Sequence, residues 1–162
     1  MPAAFTLRPV GASDEVFLFH LYASTREDIA SALPPGLQRE LLLRMQWMAQ
    51  RNDYSARYGQ GRHQLVLVEG EPAGRLWVAR GEGELRLVDV ALLPRFRGSA
   101  LGSALVRALQ AEATGAGLPL RLSVARDNPA RRLYARLGFT PVAGAAEGPY
   151  AALEWVPGAR VG

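Results

Sequence analysis

The apolar run Leu85-Arg86-Leu87-Val88-Asp89-Val90-Ala91-Leu92 passes through a short arginine-bearing turn, Leu93 to Gly98, straight into Ser99-Ala100-Leu101-Gly102-Ser103-Ala104-Leu105. Leu101, Ala104, Leu105, Ala108 and Leu109 then fall on one face of a helix expected from Ser99 to Ala113, and Gly115-Ala116-Gly117 stops it. A second apolar strand runs from Pro119 to Ala125. Strand, helix and strand in so short a span form one right-handed crossover between parallel neighbours. The turn also has a chemical consequence. Small residues at Gly98, Ser99, Ala100, Gly102 and Ser103 keep side chains away from the helix start, so the amides of its first turn face an anion. The helix dipole adds roughly half a positive charge there, and Arg97 adds a whole one.

The rest of the chain dresses this unit. Phe5 to Pro9 reads as a short strand, and Ser13-Asp14-Glu15 caps a helix running to about Ala23. Pro34-Pro35-Gly36 breaks the chain. From Leu37 to about Tyr54, the residues Leu41, Leu42, Met45 and Met48 recur at helical spacing beside Trp47 and Tyr54. His63 to Glu69 and Arg75 to Ala79 are two strands joined by the turn Gly70-Glu71-Pro72-Ala73-Gly74, an antiparallel hairpin that continues through Gly81-Glu82-Gly83 into the strand Glu84 to Leu92. After Ala125, Asn128 suits a helix cap, Pro129 the first helical position and Gly138 the C-terminal cap, giving a helix of about ten residues. Phe139 to Val142 and Tyr150 to Val156 close the sheet as a final hairpin. The expected architecture is α/β: one mixed, mostly antiparallel sheet with one parallel pair and flanking helices, in a single domain over residues 1–162.

Composition narrows the chemistry. With no cysteine, thiol nucleophiles, thiolate metal sites and disulfide scaffolds are excluded. His20 and His63 lie far apart in the sequence without supporting carboxylate spacing, so no metal site is expected. The net charge is +4, and every one of the 19 basic residues is arginine. Scattered as they are, these arginines read either as compositional bias or as attraction to a polyanion. The segment Met1 to Arg8 lacks a basic leader followed by an apolar core, and no apolar run approaches the roughly 20 residues that cross a bilayer. A cytoplasmic protein without a membrane partner is expected.

The glycine turn does not match the better-known phosphate loops. No Gly-Lys-Ser/Thr follows it, and a dinucleotide fold needs three glycines in a different order together with a doubly wound sheet. Two segments together are more specific. Arg97-Gly98-Ser99-Ala100-Leu101-Gly102 resembles a Gln/Arg-x-x-Gly-x-Gly/Ala pyrophosphate turn, with Ala100 in place of its central glycine. Within Asn128-Pro129-Ala130-Arg131-Arg132-Leu133-Tyr134-Ala135-Arg136-Leu137-Gly138-Phe139, Ala130 to Phe139 match the Ala-x-x-Leu-Tyr-x-x-x-Gly-Phe part of Asn-x-x-Ala-x-x-Leu-Tyr-x-x-x-Gly-Phe, and Asn128 stands one position nearer the alanine than the pattern's asparagine. These motifs and their spacing resemble the GCN5-related N-acetyltransferases over roughly residues 63–156; the N-terminal helices resemble that family only in type and order.

The resemblance implies residues 1–60 as a helical acceptor side and 61–156 as the part that binds acetyl-coenzyme A. Amides from Arg97 through Gly98, Ser99, Ala100, Leu101 and Gly102 to Ser103 would hold the pyrophosphate. The strand ending at Leu92 would splay from Leu120 to Ala125, freeing backbone groups for the pantetheine arm, and the Leu92 N–H would polarise the acetyl carbonyl. Asn128 would bond the pantetheine arm or cap its helix, or do both in turn. Tyr134 would protonate the departing thiolate, although its place beside Leu133 and Leu137 also fits a core aromatic. Ala100 leaves the coenzyme site intact if that position is helical, and impairs it if φ must be positive.

For the acceptor, an alkylammonium costs about 4 to 5 kcal/mol to deprotonate at pH 7. Asp89 falls in register with Leu85, Leu87 and Ala91, on an otherwise apolar side where desolvation favours proton uptake. It reads either as the base or as a structural carboxylate paired with Arg86, Arg121 or a helix N-terminus. Glu84 reads as a solvated turn residue. Gln46, Trp47, Gln50, Tyr54 and Tyr58 read as acceptor-pocket lining or as core. The implied reaction is direct transfer of an acetyl group from acetyl-CoA to a primary amine of a small molecule or peptide. A coenzyme-binding sensor without catalysis and a protein acting on an RNA-linked amine are the alternatives. A homodimer stays open.

Overall fold

The computed structural model describes residues 4–59, 61–98, 100–145 and 148–158. The chain runs β1 (Thr6–Pro9), α1 (Glu15–Ser24), α2 (Glu27–Ala32), α3 (Leu37–Tyr58), β2 (Arg62–Val68), β3 (Glu71–Arg80), β4 (Leu85–Leu92), α4 (Leu101–Ala116), β5 (Leu120–Ala125), α5 (Ala130–Arg136), β6 (Thr140–Pro141) and β7 (Tyr150–Trp155). The seven strands form one sheet in the order β1-β2-β3-β4-β5-β7-β6. β4 and β5 are parallel, whereas β1–β2, β5–β7 and β6–β7 are antiparallel. The mixed α/β architecture with its parallel pair is therefore as the sequence implies.

The chain divides into two compact units. One comprises Ala4–Trp77 and Asp89–Arg97. Its core gathers Leu18, Phe19 and Tyr22 of α1, Ile29 of α2, Leu43 and Trp47 of α3, and Leu65 of β2. α2 has no counterpart in the sequence reading, because its six residues carry too short an apolar pattern to register as a period. α3 is present but turned. Leu41, Met45 and Met48 are exposed at 52%, 68% and 49%, and the buried residues are Leu43 and Trp47. With apolar side chains on both faces, spacing gives the helix but not which stripe goes inward. Ser13-Asp14-Glu15 is also used differently. The Asp14 carboxylate accepts hydrogen bonds from Arg8 (2.8 and 2.9 Å) and the Gly11 amide (2.8 Å) instead of capping α1. Those donors hold its carboxyl down at about 2.

The β2–β3 connection is tighter than the five-residue turn expected. Its central residues are Glu69 (φ 52°) and Gly70 (φ 80°) alone, and Pro72, Ala73 and Gly74 lie within β3. Positive φ at both central positions matches the twist of a two-residue hairpin.

The second unit holds 78–88 and 98–158 of the described residues. Here α4 buries Leu101, Leu105, Val106, Leu109 and Ala113, and β5 buries Leu120, Leu122 and Val124. α4 ends in a Schellman motif at Gly117 (φ 69°): the Leu118 amide donates to Ala113 O and the Gly117 amide to Thr114 O. α5 ends the same way at Gly138 (φ 94°), with the Phe139 amide donating to Tyr134 O and the Gly138 amide to Ala135 O. At seven residues it is shorter than the ten expected. Among the described residues, no helix is long and apolar enough to cross a membrane.

Candidate active site

The turn after β4 is built from the backbone outward. The Leu93 amide donates to Ala73 O at 2.8 Å, a 3-10 turn Pro94–Phe96 follows, and the Arg97 amide donates to Pro94 O at 3.1 Å. Gly98 then adopts φ +70°, a left-handed conformation that costs a side-chain-bearing residue roughly 1–2 kcal/mol. Ala100, at φ −70° and ψ −7°, is the right-handed residue that leads into α4. Alanine therefore fits where the motif has its central glycine. The residue that needs glycine's freedom is Gly98. Among the described residues, the amides of Gly98, Ala100 and Gly102 have no acceptor. Arg97 was expected to lend its amide to the same anion, but that amide is already spent on Pro94 O. Ser103 lies in the first turn of α4, as does Leu101, whose side chain belongs to the core. Ser99 lies outside the described residues.

The Arg97 side chain corrects the expectation of a charge aimed at a phosphate. Its Nε donates to Leu92 O at 2.9 Å, and its Nη2 donates to Ser24 O at 3.2 Å and to Ser24 Oγ at 3.0 Å. The guanidinium is thus turned back toward the end of α1.

The ladder between β4 and β5 is short. Their ladder pairs Leu85, Arg86 and Leu87 with Leu120, Arg121 and Leu122 and goes no further, while β5 pairs with β7 along its whole length. On the β3 side, β4 comes unusually close: a Cβ at Gly74 would meet Ala91 O at 2.1 Å and Leu92 Cα at 3.0 Å. Because successive amides of a strand point to opposite edges, the Leu93 bond to Ala73 turns the Leu92 N–H to the edge away from β3.

Asp89 is not the isolated carboxylate its apolar register suggests, nor does it pair with Arg86 or Arg121. Arg75 of β3, itself 6% exposed, donates to Asp89 Oδ2 through both Nε (2.8 Å) and Nη2, and Nη2 also donates to Gln50 Oε1 at 2.8 Å. Tyr54 lies under the same guanidinium, 5.9 Å from its ring centroid. Arg75 thus links α3, β3 and β4 through buried polar contacts. Pattern along a single strand does not disclose this pairing, because Arg75 lies fourteen positions upstream on another strand. Of the other α3 residues, Trp47 packs in the core against Phe19, and Gln46 accepts from Arg26 at 3.0 Å.

His63 stacks on Trp77 with ring centroids 4.5 Å apart, inside the sheet and not on its edge. Burial, with Arg75 as a second influence, pushes its imidazole down to about 4. Glu84 is likewise no solvated turn residue. It accepts from Arg86 Nε at 2.6 Å and Arg121 Nη1 at 3.3 Å, and Arg121 also reaches Glu154. Burial raises the Glu84 carboxyl, but the two arginines outweigh it and the net shift is downward.

On α5, the Asn128 side-chain oxygen accepts from the Ala130 amide at 2.9 Å. This is the capping role, and it engages only the oxygen, leaving the amide nitrogen as a donor. Tyr134 is 5% exposed and meets Phe139 edge-on at 5.5 Å. Among the described residues, no group of three or more potential metal ligands occurs.

Comparisons with known proteins bear on the family and the fold. The family model for the acetyltransferase (GNAT) family matches residues 22–139. Several solved structures share the fold. One is the PaiA N-acetyltransferase of Thermoplasma acidophilum in complex with coenzyme A, at 14% identity and TM-score 0.68, covering 94% of this chain and 99% of that one. Another is a histone acetyltransferase HPA2 and related acetyltransferase of Corynebacterium glutamicum, at 21% identity and TM-score 0.66, covering 98% and 99%. A third is the ribosomal-protein-S18-alanine N-acetyltransferase of Escherichia coli, at 20% identity and TM-score 0.60, covering 93% and 91%. Comparison with curated protein sequences gives no match.

Proposed function

This chain belongs to the GNAT acetyltransferase family, and on that premise we propose that it transfers an acetyl group from acetyl-CoA directly to a primary amine of a small molecule or peptide, without an acetylated enzyme. The observation that carries the reading is the start of α4, where, among the described residues, the amides of Gly98, Ala100 and Gly102 have no acceptor. Such a run, at the positive end of a sixteen-residue helix, suits a pyrophosphate. Ser99, Leu101 and Ser103 complete the same motif. The short β4–β5 ladder supports the second half of the reading, because backbone groups beyond Leu87 are left to pair with the amide-bearing pantetheine arm.

The chemistry follows from the residues. The free amine attacks the thioester carbonyl, and the Leu92 N–H stabilises the oxyanion. As the tetrahedral intermediate collapses, the C–S bond breaks and Tyr134 gives its phenolic proton to the leaving thiolate; the proton lost from nitrogen then restores the phenol through solvent. The Asn128 amide nitrogen holds the pantetheine arm while its oxygen caps α5. Asp89, bound to a buried arginine, is read as framework that keeps Arg75 in place, not as the base. The N-terminal helices, as the acceptor side, would set which amine enters. The sensor alternative rested on Ala100 and on the unassigned base, and the right-handed φ of Ala100 removes the first of these two reasons.

Calorimetric titration with coenzyme A tests this directly. One-to-one binding that weakens with salt is expected. Gly102→Val, which puts a branched side chain at the start of α4 with its Cβ 3.5 Å from Leu133 Cδ2, should lower affinity about tenfold or more. No binding at millimolar coenzyme, or equal binding by the variant, would contradict the assignment.

A further inference from the structure

Arg97 occupies the basic position of the pyrophosphate motif, yet the Nε–Nη2 edge of its guanidinium is committed elsewhere. Nε donates to Leu92 O at 2.9 Å, and Nη2 bridges Ser24 O and Ser24 Oγ at 3.2 and 3.0 Å. Ser24 is the last residue of α1, and its carbonyl is one of those that a helix leaves unsatisfied at its C-terminus. A cation there also opposes the negative end of the helix dipole. The Ser24 hydroxyl is itself oriented, since it donates to Leu21 O at 2.6 Å and so offers its lone pairs to Arg97. The corner that follows is ordered by the same kind of contact: Thr25 Oγ1 donates to Tyr22 O at 2.7 Å, and Arg26 Nη1 reaches the Tyr22 hydroxyl at 2.6 Å and Gln46 of α3 at 3.0 Å. Arg97 is the member of this set that ties the corner to β4.

We propose that the Arg97 side chain is a positioning residue for the acceptor rather than a ligand of the coenzyme phosphates: it clamps the α1–α2 corner to the carbonyl of Leu92, the residue whose own amide faces the acetyl group. The assignment of the α1–α2 corner to the acceptor side rests on the function proposed above; the clamp itself rests only on the bonds from Arg97 to Leu92 and Ser24. A planar fork is needed for this task. A lysine ammonium keeps the charge but cannot span Leu92 O and Ser24 together in the fork's fixed geometry.

Arg97→Lys and Arg97→Ala therefore separate the two roles, with calorimetric unfolding to verify that both variants fold. Amide hydrogen exchange in the ligand-free protein is the first readout. Both variants should speed exchange over residues 22–29 by roughly two- to tenfold, as expected for losing a hydrogen bond that holds a local segment. Kinetics with a turned-over amine are the second. Both should raise the acceptor KM, with coenzyme affinity kept within about threefold, because no phosphate contact is lost. The proposal is overturned if Arg97→Lys behaves as wild type while Arg97→Ala loses about tenfold or more in coenzyme affinity, the signature of a charge on phosphate. It is equally overturned if exchange over 22–29 is unchanged in both. If the wild-type protein binds no coenzyme, the functional reading fails on its own, and the exchange measurement still decides the clamp.

Discussion

Gly74→Ala is the sharpest perturbation of the framework around Leu92. A methyl at that position would sit 2.1 Å from Ala91 O, 2.8 Å from Leu92 Cδ2 and 3.0 Å from Leu92 Cα. Two of those neighbours are backbone, so no rotamer change relieves the clash. β3 and β4 must part by about an ångström, in the range where overpacking costs roughly 1–3 kcal/mol. Parting also strains the Leu93 amide bond to Ala73 O, 2.8 Å long, whose loss adds about 0.5–1.5 kcal/mol. The gain from a stiffer unfolded chain, about 0.4–1 kcal/mol, offsets part of this. A net destabilisation of about 0.5–4 kcal/mol follows, which for a chain of this length lowers Tm by roughly 1–16 °C. Urea unfolding with two probes, together with scanning calorimetry, measures it. Because the same displacement moves the Leu92 N–H, kcat/KM should fall about a hundredfold while coenzyme affinity changes far less. A variant within about 0.5 kcal/mol of wild type would refute the close approach, and full activity would refute the role of Leu92.

Tyr134→Phe removes the proposed acid and should lower kcat about a hundredfold, with coenzyme affinity within about threefold by calorimetry; an unchanged kcat would return Tyr134 to the core alone. The His63 imidazole is held neutral by burial and by Arg75 down to about 4, against 6.5 when unfolded. The unfolded chain therefore takes up a proton that the folded chain refuses, and the stability present above pH 6.5 is lost as pH falls through that window toward 4. His63→Gln should flatten this loss by on the order of 1 kcal/mol after solvent screening, read from urea midpoints between pH 7 and 4.5. An identical slope in both proteins would contradict the assignment.

What the sequence disclosed follows the range of each interaction. The β4–α4–β5 crossover, the Gly117 and Gly138 helix ends and the Asn128 cap are all specified within a few residues of where they act, and each is found in the fold. Ala100 was ambiguous in the sequence because its φ is set by the turn as a whole, above all by the left-handed Gly98 before it. Contacts across longer distances were not legible. Asp89 pairs with Arg75 fourteen positions upstream, and Arg97 with Ser24 seventy-three upstream; nothing in the local pattern prefers them to Arg86 or a phosphate. The α3 stripe fails for a related reason, since its period is local while its inward side depends on α1, α2 and β2.

The central claim is direct acetyl transfer to an amine, and coenzyme thiol release from acetyl-CoA in the presence of a panel of primary amines tests it most directly. The chain has no cysteine, so a thiol reagent reports only the coenzyme. Saturable thiol release that requires an amine and matches acetylated product one for one, with no acetyl group on the enzyme as an intermediate, is the predicted result. Coenzyme binding with no release for any amine, or release that proceeds through an acetylated side chain of the enzyme, would contradict it.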